Sequence, residues 1–419
     1  MQMLRRLSLV LLLALPAALA GLWLGWRPAL VFALALVSLV PLAGLIGHYT
    51  GHLGMYLGDV ASGLLDATFG NAPEIMVGIL LILGVFPVVD APAIIKALII
   101  GSVVSNSLFV LGSSVFIGAI RNGRMQFDTD RAGSYASMLA LAVAGLALPA
   151  LAVFLGNGSG FKLDNVGDQI QLSIVVSIIL LFSYFAYLAS TIFGVGNTAH
   201  PPRKRGKAPA AAQEAHDERE ATVGVAILSE AGAHGPTETE RIIAAEEHDE
   251  AVERIKRREL RRGHGREIAV AVVVVAGATA LMLVACVLLV SQMDTVIKRT
   301  SLTPFFVGFI LLPFITNIVE QLGAISASYE NHMEETMAVA AGSSVQIALL
   351  VGPVLILASI LLGNPIPMIF SKVELIIVTL VTFVYALVSL DGESTWLEGL
   401  QLIAFYVMVA ATAYFLPGA

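Results

Sequence analysis

Charge is what this sequence has least of. Asp, Glu, Lys and Arg make up 13% of its 419 residues, where a soluble globular chain carries about 25%. With 57% of residues hydrophobic, a deficit sustained over this length excludes a soluble domain and places most of the chain in lipid. Cysteine is nearly absent too. The single Cys286 stands in an apolar stretch, which excludes a disulfide framework or a cysteine metal site and leaves a small packing residue. The sequence contains neither a G-x-x-x-x-G-K-[ST] phosphate loop nor an H-E-x-x-H pair, so nothing points to direct ATP drive or to an intramembrane zinc enzyme. No catalytic nucleophile–base pair and no resident cofactor are expected. Nothing resembles a nucleic-acid-binding face.

What the chain does have is long apolar runs. A membrane helix needs about 20 largely apolar residues to cross about 30 Å of hydrocarbon. That rule predicts an all-α integral membrane protein with about eleven transmembrane helices, at 7–25, 29–47, 63–85, 97–120, 135–156, 170–193, 267–291, 302–328, 336–361, 373–390 and 398–416. None of the 24 Lys and Arg falls inside these segments. The organisation expected is an extra N-terminal helix (1–28), a first five-helix unit (29–196), a charged linker (197–266) and a second five-helix unit (267–419). Arg5-Arg6, an apolar core and Ala18-Leu19-Ala20-Gly21 also fit a cleaved signal peptide; the expectation adopted is a retained helix.

The linker opens with Arg203, Lys204, Arg205 and Lys207 after two prolines. Further on, Glu246, Glu247, Asp249 and Glu250 precede Arg254, Lys256, Arg257 and Arg258 on a stretch of roughly helical apolar spacing. It reads as a solvated surface helix with its basic end on anionic headgroups, in preference to a cation sensor. Positive residues favour the cytoplasmic side, so the linker and the Arg121, Arg124, Arg131 group are expected there, in a plasma membrane of bacterial type.

Two carboxylates break the apolar pattern in matching places. Gly70-Asn71-Ala72-Pro73-Glu74 lies within the third segment, and Thr316-Asn317-Ile318-Val319-Glu320 within the eighth. Each has Asn three residues before Glu. The next segment of each half opens with Gly-Ser, as Gly101-Ser102 with Ser105-Asn106, and as Gly342-Ser343-Ser344 with Gln346. Five spans per unit send the second unit in from the opposite side, giving inverted-topology repeats with a site near the midplane on broken helices.

An ionised carboxylate at the centre of a membrane helix costs about 2.5–3.5 kcal/mol on insertion scales. Without Lys or Arg partners, the counter-charge must be a cation or protons. Desolvation and a neighbouring like charge each favour the protonated form of a carboxyl, so a divalent cation and protons would compete for one pair of acids, and that competition is antiport. Ca²⁺ takes about six to eight oxygens. The candidate donors are Glu74, Glu320, Asn71, Asn317, Ser102, Ser343 and Gln346. Gly70, Pro73, Gly101, Gly342, Ser105, Asn106 and Ser344 are candidates for breaking the helices and lining the site. Pro73 would free the carbonyl of Phe69. Close packing of small residues is the competing account of the glycines and serines. Asp66, His48, His52, His332, Glu334, Glu335, Glu374, Asp391, Glu393 and Glu398 read as access-path or boundary charges.

Asp66-Ala-Thr-Phe-Gly-Asn-Ala-Pro-Glu74 and Gly101-Ser-Val-Val-Ser-Asn-Ser-Leu108, with Asn317, Glu320 and Gly342-Ser-Ser-Val-Gln346, resemble the cation/proton exchanger branch of the calcium:cation antiporter superfamily. The resemblance covers both repeats. It implies two inverted five-helix units after an extra first helix, exchange of Ca²⁺ for H⁺, and Glu74 and Glu320 as the central acids. The sequence departs from that family's pattern at Pro73, where Thr is usual, and at Thr316, Ile318, Val319 and Gln321, which replace Gly, two Ala and His. Na⁺/Ca²⁺ or Na⁺/H⁺ exchange and a passive cation channel are the alternatives.

Overall fold

The computed structural model describes residues 12–57, 65, 68–159, 165–193 and 265–416. The chain divides into two units: residues 1–188 with 270–419 form one, and the interval 189–269 forms the other. Most of the linker, including its acidic–basic stretch, lies outside the described residues, as do Arg5, Arg6 and Asp66.

The first half contributes α1 (Ala14–Trp23), α2 (Pro28–Leu57), α3 (Ala72–Leu83), α4 (Ala91–Asn122), α5 (Thr129–Ser159) and α6 (Val166–Phe193). The second half contributes α7 (Gly265–Arg299), α8 (Pro304–Thr316), α9 (Ile318–Tyr329), α10 (Met333–Leu361), α11 (Lys372–Val388) and α12 (Trp396–Phe415). Two short strands, β1 (Met125–Gln126) and β2 (Glu393–Ser394), pair antiparallel.

Every apolar segment expected from the sequence carries helix, but the count of full-length spans is smaller than eleven. Among the described residues seven helices are long and apolar enough to cross a bilayer, and the α8–α9 pair, bent by 49°, makes an eighth if it is one span. Helix α3 is short because a backbone break at Asn71 starts it there, and α11 has 17 residues. Lipid is the natural solvent for what the helices leave uncovered. Phe182, Val273 and Phe383 are 74%, 70% and 61% exposed, a surface that water would penalise and hydrocarbon does not.

Helix ends outrun the hydropathy segments wherever a cap or a polar face sustains them. Asp90, at φ 52°, accepts from Ala93 N–H to start α4 six residues before the expected 97. Asp128 accepts from the Asp130 and Arg131 N–H groups at the head of α5. Ser371 with Glu374 and Thr395 with Glu398 form reciprocal capping boxes on α11 and α12, each satisfying two otherwise orphaned donors. The extension of α4 also brings Lys96 inside a helix, correcting the clean exclusion of basic residues from the spans.

Close backbone contact fixes how the halves interlock. A Cβ on Gly101 would collide with the Phe309 carbonyl of α8, and one on Gly308 with the Ile94 carbonyl of α4. Gly112 and Gly399 make the corresponding contact between α4 and α12. Small residues at such crossings are what membrane helices use where apolar burial alone gives no drive. Three π-helical turns interrupt this core, Ser105–Val110 in α4, Val307–Leu311 in α8 and Ile347–Val351 in α10.

The two ends of the bundle differ. At the end where α10 begins, Arg124 pairs with Glu393 at 2.9 Å, Arg131 with Glu334 at 3.4 Å, and Arg121 lies over the Tyr329 ring. At the other end the coil after α10 is bonded to the first half. Asn364 Nδ2 donates to Ile82 O at 2.9 Å, Met368 N–H to Ser173 Oγ at 2.8 Å, and Lys96 Nζ to Ile369 O at 2.9 Å.

Candidate ion-binding site

The Asn-x-x-Glu spacing has one structural meaning in both halves. Asn71 ends the helical residues 68–70 and precedes α3; Asn317 ends α8 and precedes α9. Their backbones are nearly the same, φ −99°, ψ 20° and φ −86°, ψ 13°. Each Asn therefore occupies the N-cap position, and each Glu the first turn of the helix that follows. A carboxylate there faces the positive end of the helix dipole. Neither Asn uses its side chain to cap its own helix, which leaves both amides available for other contacts.

One of those contacts spans the halves. Asn71 Nδ2 donates to Gln346 Oε1 at 2.9 Å, joining the first motif to the Gly-Ser helix of the second half. A parallel link lies close by in sequence, where the Ser107 and Ser344 hydroxyls are 2.9 Å apart. Ser344 also bonds the Ala340 carbonyl at 3.1 Å. Thr316, which opens the second motif, and Cys286 of α7 are neighbours of the Glu74 carboxyl. Cys286 is fully buried, as a packing residue should be.

A cavity of about 410 Å³ enters from the arginine-bearing end. Gly70, Glu320, Gly342, Ser343 and Gln346 line it, with Glu335 and Thr50 also on its wall. Ser343 is held there by its bond to Val339 O at 2.8 Å. Behind this wall the remaining residues are sealed. Glu74 is 1% exposed, Asn71 and Asn317 2%, and Ser102 and Asn106 0%. Among the described residues no well-formed hydrogen bond reaches the Glu74 carboxyl, which has the Thr316 hydroxyl beside it, or the hydroxyls of Ser102 and Ser105, Asn317 Nδ2 or the Asn106 amide. Polar atoms left without partners in an apolar interior are costly, and their concentration beside the two Asn-x-x-Glu breaks makes this the candidate site.

Among the described residues no three His, Cys, Asp or Glu side chains form a metal-holding cluster. The oxygens on the cavity wall, the Glu320 carboxylate, the Gln346 amide and the Ser343 hydroxyl, are hard donors of the kind that suits Ca²⁺ better than a soft metal. Pro73 is buried in the first turn of α3. Gly101 is occupied by its contact with Phe309, whereas Gly342 has open space beside it. Sequence reasoning singled out neither Ser107 nor Thr316 as a donor, because serines and threonines are common in membrane helices and only the crossing brings these two inward. Gln321, in the place where His is usual, is buried and reaches Ser113 Oγ at 3.5 Å.

Two broken apolar helices, each with a carboxylate in its first turn and the second carboxylate on the wall of a cavity, are the architecture of a multi-pass membrane ion carrier. The sodium/calcium exchanger protein family model matches residues 27–193 and 270–415, and the chain belongs to that family. The gap between the matched stretches coincides with the charged linker. The Ca(2+)/H(+) antiporter of Synechocystis sp. is 32% identical over 413 residues, 98% of each chain. The Ca(2+)/H(+) antiporter of Aphanothece halophytica is 30% identical over 407 residues, 97% of this chain and 96% of that one. Native YfkE shares the fold with a TM-score of 0.71 at 24% identity, covering 98% of this chain and 99% of its own.

Proposed function

We propose that the protein is a secondary antiporter that exchanges Ca²⁺ for protons by alternating access. The observation that carries the proposal is the Asn71–Gln346 bond at the inner wall of a cavity that Glu320 also lines. It ties the acid motif of one half to the ion-facing helix of the other. Glu74 and Glu320 hold either a divalent cation or protons, and Asn71, Asn317, Gln346, Ser102 and Ser343 supply neutral oxygens. Binding of Ca²⁺ needs both carboxyls deprotonated; proton binding from the opposite side expels it. The Ca²⁺/H⁺ exchange of the cyanobacterial relatives supports this choice of ions.

The two five-helix units are read as inverted repeats, which makes the equivalent Asn–Glu breaks approach the site from opposite sides. The arginine-bearing end is read as cytoplasmic by the positive-inside rule; the cavity then opens to the cytoplasm. The linker is taken to lie on the same side, in a plasma membrane of bacterial type.

The test is ⁴⁵Ca²⁺ uptake into proteoliposomes with an acid interior. Uptake that collapses with a protonophore and is indifferent to a Na⁺ gradient supports Ca²⁺/H⁺ exchange. Uptake driven by Na⁺ alone overturns it in favour of Na⁺/Ca²⁺ exchange.

A further inference from the structure

The cavity that reaches Glu320 is lined at its mouth by a second acid, Glu335, that the site does not use. Glu335 stands on α10 and Glu320 on α9, and both border the cavity. On α10, Glu335, Ala338 and Val339, Gly342 and Ser343, and Gln346 recur at helical spacing and all border the cavity. At about 1.5 Å per residue, Glu335 stands roughly 16 Å along the axis from Gln346. Between them the helix offers two small apolar side chains, a glycine and Ser343, and the facing wall of α2 and α9 offers Ala43, Gly47 and Gly323. The cavity thus holds two carboxylates, Glu335 and Glu320, in a mostly apolar lining that also carries the Thr50 and Ser343 hydroxyls.

Among the described residues the cationic partner of Glu335 is His332, which carries charge only when protonated. The nearby guanidinium, Arg131, is paired with Glu334 at 3.4 Å. His332 lies 3.7 Å from Glu335, one helical turn back. The Glu335 side chain is 66% exposed, so it is hydrated and acts on a passing cation through field rather than as a fixed ligand. In a low-dielectric funnel such a field concentrates ions of the opposite sign and speeds their arrival.

We propose that Glu335 is a recruiting residue that raises the apparent affinity for divalent cations from the cavity side without taking part in the exchange step. This rests on the cation-exchange reading of the site. The test is ⁴⁵Ca²⁺ uptake into everted membrane vesicles, with the full chain and its variants, measured as half-saturating concentration and maximal rate at two ionic strengths. For a unit charge acting on a divalent ion about 16 Å away in water, Glu335→Gln raises the half-saturating concentration roughly 2.5-fold at low salt, and Glu335→Lys roughly sixfold. At 0.15 M salt the Gln effect shrinks below about twofold, because the screening length is about 8 Å. The maximal rate stays unchanged throughout, and Glu335→Asp restores wild-type saturation. An unshifted half-saturating concentration in Glu335→Lys at low salt overturns the inference, as does a fall in maximal rate alone. A wild type that shows no pH-driven uptake overturns the exchange reading and this inference with it.

Discussion

The two acid motifs share a backbone and differ in their surroundings. Glu74 is sealed at 1% exposure with the Thr316 hydroxyl beside it, whereas Glu320 is half-buried on the wall of a cavity. The flanking glycines differ in the same sense. Gly101 is pressed against the backbone of Phe309, and Gly342 faces open space. The same local signal therefore produces one packed arm and one accessible arm. A carrier that must never connect two compartments needs that asymmetry, with one wall of its site tight while the other is wet.

The largest effect expected is on transport. Breaking a buried charge arrangement by removing one member costs about 3–5 kcal/mol, so Glu74→Gln and Glu320→Gln should each reduce pH-driven ⁴⁵Ca²⁺ uptake by roughly a hundredfold or more. Robust uptake by either variant would break the equivalence of the two motifs. Accessibility sharpens the difference between them. In a Cys286→Ala background, Ala338→Cys on the cavity wall is expected to react with a charged thiol reagent, and Ala72→Cys beside Glu74 to stay unlabelled. Labelling of both at the same rate would mean that the first arm is not closed.

The glycines extend the contrast to stability. Overpacking a tight contact costs about 1–3 kcal/mol, so Gly101→Ala should lower the melting temperature in detergent by several degrees. Gly342→Ala, with nothing to strike, should stay within about 0.5 kcal/mol of wild type. Equal shifts would contradict the assignment of packed and open arms. A modest change is expected at the bridge between the halves. Asn71→Ala removes the hydrogen bond to Gln346, worth about 0.5–1.5 kcal/mol net, and should weaken half-saturation for Ca²⁺ by roughly two- to tenfold.

Much of this was written in spacing alone. The Asn-x-x-Glu repeats foretold two equivalent helix breaks, and their Asn and Glu occupy the N-cap and first turn of a helix in both halves. Hydropathy located the helices but not their ends. Helix α2 runs to Leu57 where the apolar segment stopped at 47, because Gly47 and Thr50 border the cavity and a helix face in contact with water need not be apolar. Glu374 and Glu398 were set aside as boundary charges, although Ser371-x-x-Glu374 and Thr395-x-x-Glu398 spell capping boxes. The π-helical turns and the Ser107–Ser344 contact left no trace in the sequence. They depend on where two helices cross, and crossing is decided by partners more than 200 residues away.

The bonds that fasten the coil after α10 bear on what any movement there would cost. Asn364, Met368 and Lys96 tie it to the first half with three hydrogen bonds, each worth about 0.5–1.5 kcal/mol net, beside a pocket that Leu81, Ile82 and Asn364 line. A rearrangement that displaces this coil gives up those bonds, so a ligand that drives it must favour the rearranged state by at least their sum.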